Sequence, residues 1–131
     1  MLESYFIIKY LGQIGVDYGG LRKDWFTKLS RELFNPSLGL FSITDEMKYH
    51  PNAQSYANSY HLQLFKFCGI LIAKAILQKE NVDVHLSSAF LCRVLGRNVG
   101  LNDIREVDNE IFRSLHFLLN NRDVSKKNFF F

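Results

Sequence analysis

The sequence predicts a mainly α-helical fold with a short N-terminal strand and a small β-hairpin. Four stretches place apolar residues at helical spacing, whereas residues 4–11 alternate in the manner of a strand. Residues 39–51 contain two further strand-like runs around a polar turn. The chain has 131 residues, 47% of them hydrophobic, which suits one globular domain.

The chain begins with a predicted strand and a glycine-rich turn. Residues 4–11, SYFIIKYL, are rich in β-branched and aromatic side chains, and residues 12–20, GQIGVDYGG, contain four glycines. Amides at a helix N-terminus favour anions, but GVDYGGLRK matches neither GxGxxG nor GxxxxGK[ST]. We therefore predict a conformational turn in which Gly19 and Gly20 supply positive φ angles and Asp17 caps nearby amides.

The first helix is predicted from Leu21 to about Asn35, because Pro36 disfavours a helical residue before it. Trp25 lies on its apolar face and is predicted to be buried. The apolar face comprises Leu21, Trp25, Phe26, Leu29, Leu33 and Phe34.

A hairpin and a long helix follow. Residues 39–51 predict a hairpin around a turn at residues 44–46, Thr-Asp-Glu. Residues 58–78 are apolar on most sides from Leu62 onward, which predicts a helix buried in the core. Gly69 within this helix is predicted to allow a neighbouring backbone to approach closely.

Two shorter helices complete the predicted fold. One spans residues 86–95, with Ser87 or Ser88 at its start and Gly96 as a left-handed C-cap. The other spans residues 109–120 after Asp108, which is a good N-cap.

The residues that could carry chemistry favour structural interpretations. Cys68 and Cys92 lie in apolar helical runs, so we predict packed thiols and neither nucleophiles nor a disulfide framework. A triad from Asp83, His85 and Ser87 or Ser88 is disfavoured because the sequence has no G-x-S-x-G elbow. None of the histidines pairs with another His or a Cys at ligand spacing, so neither a metal nor a cofactor is expected; they are His50, His61, His85 and His116.

Charge and hydropathy exclude other classes of partner. The net charge is +3 and the basic residues are scattered, so nucleic acid is not an expected partner. The most apolar segment, residues 60–77, contains two lysines, which argues against a membrane span. The N-terminus lacks the features of a signal peptide, so we expect a cytoplasmic location, with the nucleus as a second compartment.

Five stretches in order resemble the HECT-type E3 ubiquitin ligase domain. They are GVDYGGLRKDWF, SRELFNPSLGLF, HLQLFKFCGILIAKAI, VDVHLSSAFLCRVLGR and DIREVDNEIFRSL. The resemblance covers about residues 5–123. It implies the large helical subdomain of the N-terminal lobe over residues 1–125. The end of the chain, KKNFFF at residues 126–131, does not resemble the family.

The resemblance also implies an activity for the parent family. In HECT enzymes an E2 loaded with ubiquitin docks on the N-terminal lobe, and a cysteine of the C-terminal lobe accepts ubiquitin as a thioester before passing it to a lysine of a protein substrate. Neither Cys68 nor Cys92 matches that nucleophile, and the E2-binding subdomain and C-terminal lobe are not represented. We therefore expect no catalytic residue here, no activity of the chain on its own, and weak or absent binding of E2 and ubiquitin.

One subfamily of HECT domains binds a second ubiquitin through an aromatic residue and a polar residue. The corresponding positions hold Leu38 and His50, so we do not expect that site. Two alternatives to the HECT interpretation remain open. One is a helical protein-interaction module with no enzymatic parent, and the less favoured one is a nucleic-acid binder with steeply salt-dependent affinity.

Overall fold

The computed structural model describes residues 8–12 and 19–121, and these form a mainly helical fold with a two-stranded hairpin, as predicted. The helices and strands are α1 (Gly20–Leu33), β1 (Phe41–Ile43), β2 (Tyr49–Pro51), α2 (His61–Leu77), α3 (Ser88–Val94), α4 (Leu101–Val107) and α5 (Asn109–Asn120). Short 3-10 helices at Pro36–Leu38 and Ser55–Ala57 were not predicted. The tail at residues 126–131 and Asp17 lie outside the described residues, so both predictions about them stay predictions.

The described part of the chain divides into two compact units. The first contains the described residues within 1–42 and 51–84, and the second contains 43–50 and the described residues from 85 onward. The prediction of one domain concerns a larger unit and stays a prediction. The chain passes from one compact unit to the other within the hairpin, where no glycine- or proline-rich linker marks a boundary.

The core of the first unit forms between α1, β1 and α2. Phe34 stacks on Phe41 with ring centroids 4.4 Å apart, and Phe41 meets Phe65 of α2 edge-on at 5.3 Å. Arg22 of α1 donates from Nε to Oε1 of Glu80 at 2.9 Å. These aromatic contacts and this ion pair tie α1 to β1, to α2 and to the segment after α2. The buried apolar side chains of the unit are Phe26, Leu33, Phe34, Leu40, Phe41, Cys68, Leu71 and Ala75.

The burial predicted for Trp25 is wrong, because Trp25 is partly exposed. The buried stripe of α1 consists of Phe26, Ser30 and Leu33, which follow one another at helical spacing. Trp25 precedes this stripe by one residue, or about 100° around the helix, and packs edge-on against Phe26 at 5.1 Å.

The prediction that α2 is buried in the core holds for one face of the helix only. Of α2, only Cys68, Leu71 and Ala75 are buried. The helix packs against α1 and the 3-10 helix Ser55–Ala57, and its Phe65 meets Phe41 of β1. Gly69 is exposed, and outside its own helix backbone and chain neighbours no described atom lies within 4 Å of the position its Cβ would occupy, so no other element approaches it closely.

Residues 8–11 depart from the strand predicted over residues 4–11. Of residues 4–11, the structure describes 8–11, which form no strand and end in a turn. The described sheet consists of β1 and β2, and residues 8–11 do not belong to it. Tyr10 is instead held by its side chain, whose hydroxyl donates to Oδ2 of Asp24 at 2.9 Å.

The second unit begins with the tip of the hairpin. Its turn is longer than the predicted 44–46 and closes where Thr44 N donates to Lys48 O at 2.8 Å. Met47 has a φ of 60°, an unusual value for a residue with a side chain. Beyond the turn, Tyr49 forms a parallel bridge with Leu86, which joins β2 to the segment before α3.

The helices of the second unit pack in sequence, α3 on α4 and α4 on α5. The predicted caps are confirmed: Ser87 Oγ accepts from Phe90 N, Gly96 has a φ of 69°, and Asp108 accepts from Ile111 N at 2.9 Å. Helix α4 was not predicted, although Asp103 caps it by accepting from Gly100 N at 2.7 Å. With only seven residues, α4 is too short for a periodic pattern to be distinctive.

Candidate functional site

The first candidates for a nucleophilic residue are the two cysteines of the chain, Cys68 and Cys92. Cys68 is 3% exposed on the inner face of α2, and burial raises the pKa of its thiol to about 11. Thiol chemistry needs an accessible thiolate, so this setting is unfavourable for a nucleophile. Cys92 is partly exposed on α3, and both cysteines are free thiols.

The turn before α1 is the second candidate. Gly19, not Gly20, has the positive φ, at 96°, whereas Gly20 is the first residue of the helix. The prediction of a positive φ is thus confirmed at Gly19 and wrong at Gly20. Gly19 O accepts from Lys23 N at 3.1 Å, so its carbonyl already forms the first hydrogen bond of the helix. The pair begins a helix, in agreement with the conformational interpretation.

A cluster of polar side chains in the second unit is the most organised group among the described residues, and sequence reasoning missed it. Glu106 of α4 accepts from Ser88 N at 2.9 Å through Oε1 and from Lys48 Nζ at 3.1 Å through Oε2. His50 Nδ1 lies 2.7 Å from Ser87 Oγ. The cluster therefore connects the hairpin, the start of α3 and α4; we call these five residues the hairpin cluster.

The electrostatics of the hairpin cluster match its hydrogen bonds. Burial alone would raise the pKa of Glu106, but the bonds from Ser88 and the charge of Lys48 outweigh it and lower the pKa. Burial lowers the pKa of His50, while the charge of Glu106 acts in the opposite direction. Both shifts favour an ionised carboxylate beside a neutral imidazole.

The hairpin cluster is not a hydrolytic triad. Ser87, which the sequence placed in a disfavoured triad with Asp83 and His85, contacts His50 instead. Its side chain is 0% exposed and caps α3, so no substrate carbonyl can reach the hydroxyl. The pairing was hard to foresee because 37 residues separate His50 from Ser87, and the Tyr49–Leu86 bridge brings them together.

Two other histidines lie beside polar neighbours. His61 Nδ1 is 3.3 Å from Ser55 Oγ, and His116 lies against the Asn120 amide. Among residues 8–12 and 19–121, no group of three His, Cys, Asp or Glu side chains is arranged to hold a metal ion. Within those same ranges, no helix is long and apolar enough to cross a membrane.

The remaining features are exposed apolar residues on α2 in the first unit and, separately, on α5 in the second unit. On α2 the exposed fraction is 68% for Leu62 and 71% for Ile76. On α5, Ile111, Leu115 and Leu118 recur at helical spacing and are all exposed. Exposed apolar side chains that share one face of a helix, as on α5, often mark a contact surface.

Comparison with known proteins assigns the chain to a family. The model of the HECT-domain (ubiquitin-transferase) family matches residues 27–131. Since this match covers most of the chain, the protein belongs to the HECT-domain family.

Similar proteins are described as E3 ubiquitin-protein ligases. The chain is 40% identical over 116 residues to TOM1 of Saccharomyces cerevisiae, which covers 87% of the chain and 4% of TOM1. It is 39% identical over 126 residues to RSP5 of Chaetomium thermophilum, covering 95% of the chain and 15% of RSP5. It is 34% identical over 126 residues to HUWE1 of Mus musculus, covering 95% of the chain and 3% of HUWE1. The chain thus spans a small part of the relatives it matches.

Proposed function

We propose that this chain forms a structural part of the ubiquitin-transferring domain of a HECT E3 ligase and does not itself accept ubiquitin. The observation that carries the proposal is the burial of Cys68 within a chain of this family. A thiol with a pKa of about 11 is almost wholly protonated at neutral pH, and a protonated, buried sulfur cannot attack the thioester of a charged E2.

The second cysteine, Cys92, is also poorly placed to act as a nucleophile. It lies on the seven-residue helix α3, and Arg93 follows it directly. Adjacent residues of a helix point in directions about 100° apart, so the guanidinium is poorly placed to stabilise a Cys92 thiolate. The described residues offer no imidazole bonded to this sulfur as a general base. The family's transfer step is therefore assigned to a cysteine elsewhere in a HECT protein.

The exposed apolar faces support a scaffolding role. A helix with its apolar side in water is stabilised when another element covers that side. Leu62 and Ile76 on α2 and Leu118 on α5 offer such surface, and the relatives are many times longer than the match. We expect weak or absent binding of E2 and free ubiquitin by this chain alone, since the matched part is a small share of each relative.

A thioester assay tests the proposal. The chain is mixed with E1, E2, ATP and ubiquitin and is then separated without reductant, alongside the variants Cys68→Ser and Cys92→Ser. We expect no ubiquitin adduct in any of the three proteins. An adduct that disappears with reductant and is lost in one of the variants would identify that cysteine as an acceptor and contradict the proposal.

The exposed apolar face of α5 also favours a second candidate, a helical interaction module that acts without a transferase. The two candidates differ in which partner covers α5. Addition of the remaining HECT segments as a separate polypeptide should protect Leu115 and Leu118 from solvent if the chain is a scaffold. Failure of those segments to associate would favour the interaction module.

A further inference from the structure

We propose that the contact between His50 and Ser87 is a proton-sensitive latch, in which the neutral imidazole secures the start of α3 and the imidazolium releases it. The latch lies within the second unit. It joins residue 50 of β2 to the N-cap of α3, two segments that the parallel bridge between Tyr49 and Leu86 holds side by side.

The latch begins with the geometry of Ser87. This side chain is 0% exposed, and its Oγ accepts from Phe90 N at 3.3 Å as the cap of α3. The same oxygen lies 2.7 Å from His50 Nδ1. The backbone fixes this arrangement on both sides, since Tyr49 N donates to His85 O at 2.7 Å and Ser87 N donates to Tyr49 O at 2.9 Å.

The hydrogens of this contact can be assigned by counting. A serine hydroxyl has one hydrogen and two lone pairs, and Phe90 N–H uses one lone pair. A neutral His50 that carries its hydrogen on Nε2 offers the Nδ1 lone pair to the Ser87 hydrogen. The opposite tautomer would leave that hydrogen without an acceptor, since the described residues provide Ser87 Oγ with only these two partners. Neutral His50 with Nδ1 as acceptor is therefore the form that satisfies the site.

Protonation of His50 removes that acceptor. An imidazolium has hydrogens on both ring nitrogens, so Nδ1 donates to the second lone pair of Ser87 Oγ, and the buried Ser87 hydrogen is left without an acceptor. Water cannot replace the acceptor, because Ser87 is fully buried. A buried hydroxyl that loses its partner destabilises the element it caps, which here is α3.

Neighbouring charges do not reverse this preference. Glu106 of α4 is the charged group whose field favours protonation of His50, but Lys48 of the hairpin neutralises it with an Nζ–Oε2 distance of 3.1 Å. His85, the titratable residue of the bridged segment, contributes its backbone carbonyl to β2. Burial outweighs Glu106 and lowers the pKa of His50.

The direction of the pH effect follows from linkage. The folded state holds the pKa of His50 below its unfolded value, so the unfolded state binds the proton more readily. The stability that neutral His50 contributes is complete above about pH 6.5 and is lost as pH falls below that value. Mild acidification should therefore loosen the start of α3.

Amide hydrogen exchange tests the latch in the full chain. Exchange at Phe90, corrected for the intrinsic pH dependence, is measured between pH 7.5 and pH 5 in the wild type, in His50→Asn and in His116→Gln. Asparagine offers an acceptor near the position of Nδ1 and does not titrate, whereas His116 is an exposed histidine of α5 in the same unit.

We expect protection of the Phe90 amide to fall with acidification in the wild type and in His116→Gln, by at most about tenfold per pH unit for one proton. His50→Asn should show no such fall. An equal fall in His50→Asn would overturn the proposal. If His50→Asn does not fold, the NMR titration of His50 in the wild type decides: a midpoint below about 6.5 supports the latch, and a midpoint at or above about 6.5 overturns the latch.

Discussion

Replacement of Phe34 by alanine tests the packing that joins α1 to β1 and α2. Phe34 is 1% exposed, and its ring stacks on Phe41 with centroids 4.4 Å apart and an interplanar angle of 26°. Phe41 in turn contacts Phe65 edge-on at 5.3 Å. Removal of the Phe34 ring therefore opens a cavity and leaves Phe41 without its stacking partner.

The magnitude follows from burial. A fully buried phenylalanine replaced by alanine loses about 3–5 kcal/mol, which combines lost transfer free energy with the cavity. Domains of ordinary stability unfold with about 5–15 kcal/mol, so the variant keeps only part of its stability. For a chain of this size we expect the melting temperature to fall by about 10–25 °C.

Thermal and urea unfolding, followed by circular dichroism, measure this loss. Phe117→Ala is the matched control, because Phe117 is 59% exposed on α5 and its removal should change stability by about 0.5 kcal/mol or less. If the Phe34 and Phe117 variants lost the same stability, or if Phe34→Ala cost under about 1 kcal/mol, the aromatic stack would not be part of the core.

Three further predictions concern the glycine turn, the thiols and the hairpin cluster. Gly19→Ala should cost about 1–2 kcal/mol because Gly19 has a positive φ, whereas Gly20→Ala should be neutral or stabilising by up to about 1 kcal/mol. Equal effects of the two substitutions in urea unfolding would contradict the placement of the positive φ at Gly19. Cys68 should react with iodoacetamide at pH 8 far more slowly than Cys92, since about one Cys68 thiol in a thousand is ionised at a pKa of about 11. Comparable rates by peptide mass spectrometry would refute the burial of the Cys68 sulfur. Glu106→Gln should cost about 1–3 kcal/mol of stability at pH 7, because it weakens the hydrogen bonds to a buried carboxylate. The stability difference between the wild type and this variant should shrink as pH falls below about 4.5, because the folded state lowers the pKa of Glu106 despite burial. A stability difference that stays constant from pH 7 to pH 3 would exclude this linkage.

Local signals predicted the parts of the fold that depend on a few neighbouring residues. Asp108 and Ser87 mark helix starts, Gly96 marks a helix end, and the α5 range is as predicted, because capping and periodicity act within a turn or two of helix. The hairpin was predictable for the same reason.

Features that depend on distant contacts were not predictable. The contact between His50 and Ser87 requires a bridge between segments far apart in sequence, and no spacing rule encodes it. The apolar character of α2 indicated burial, but the described residues cover only one stripe around Cys68 and Leu71. The apolar periodicity of α1 was compatible with a buried stripe through Trp25 or through Phe26, and packing in the folded protein buries the stripe through Phe26.

The rate at which a charged E2 loses ubiquitin tests the central claim most directly. Preformed E2–ubiquitin thioester is mixed with an excess of the chain after E1 has been quenched, and the remaining thioester is followed over time. A scaffold without an acceptor thiol and with weak E2 docking predicts the same decay rate with and without the chain. A decay that accelerates and saturates with chain concentration, and that returns to the basal rate in Cys68→Ser or Cys92→Ser, would contradict the account.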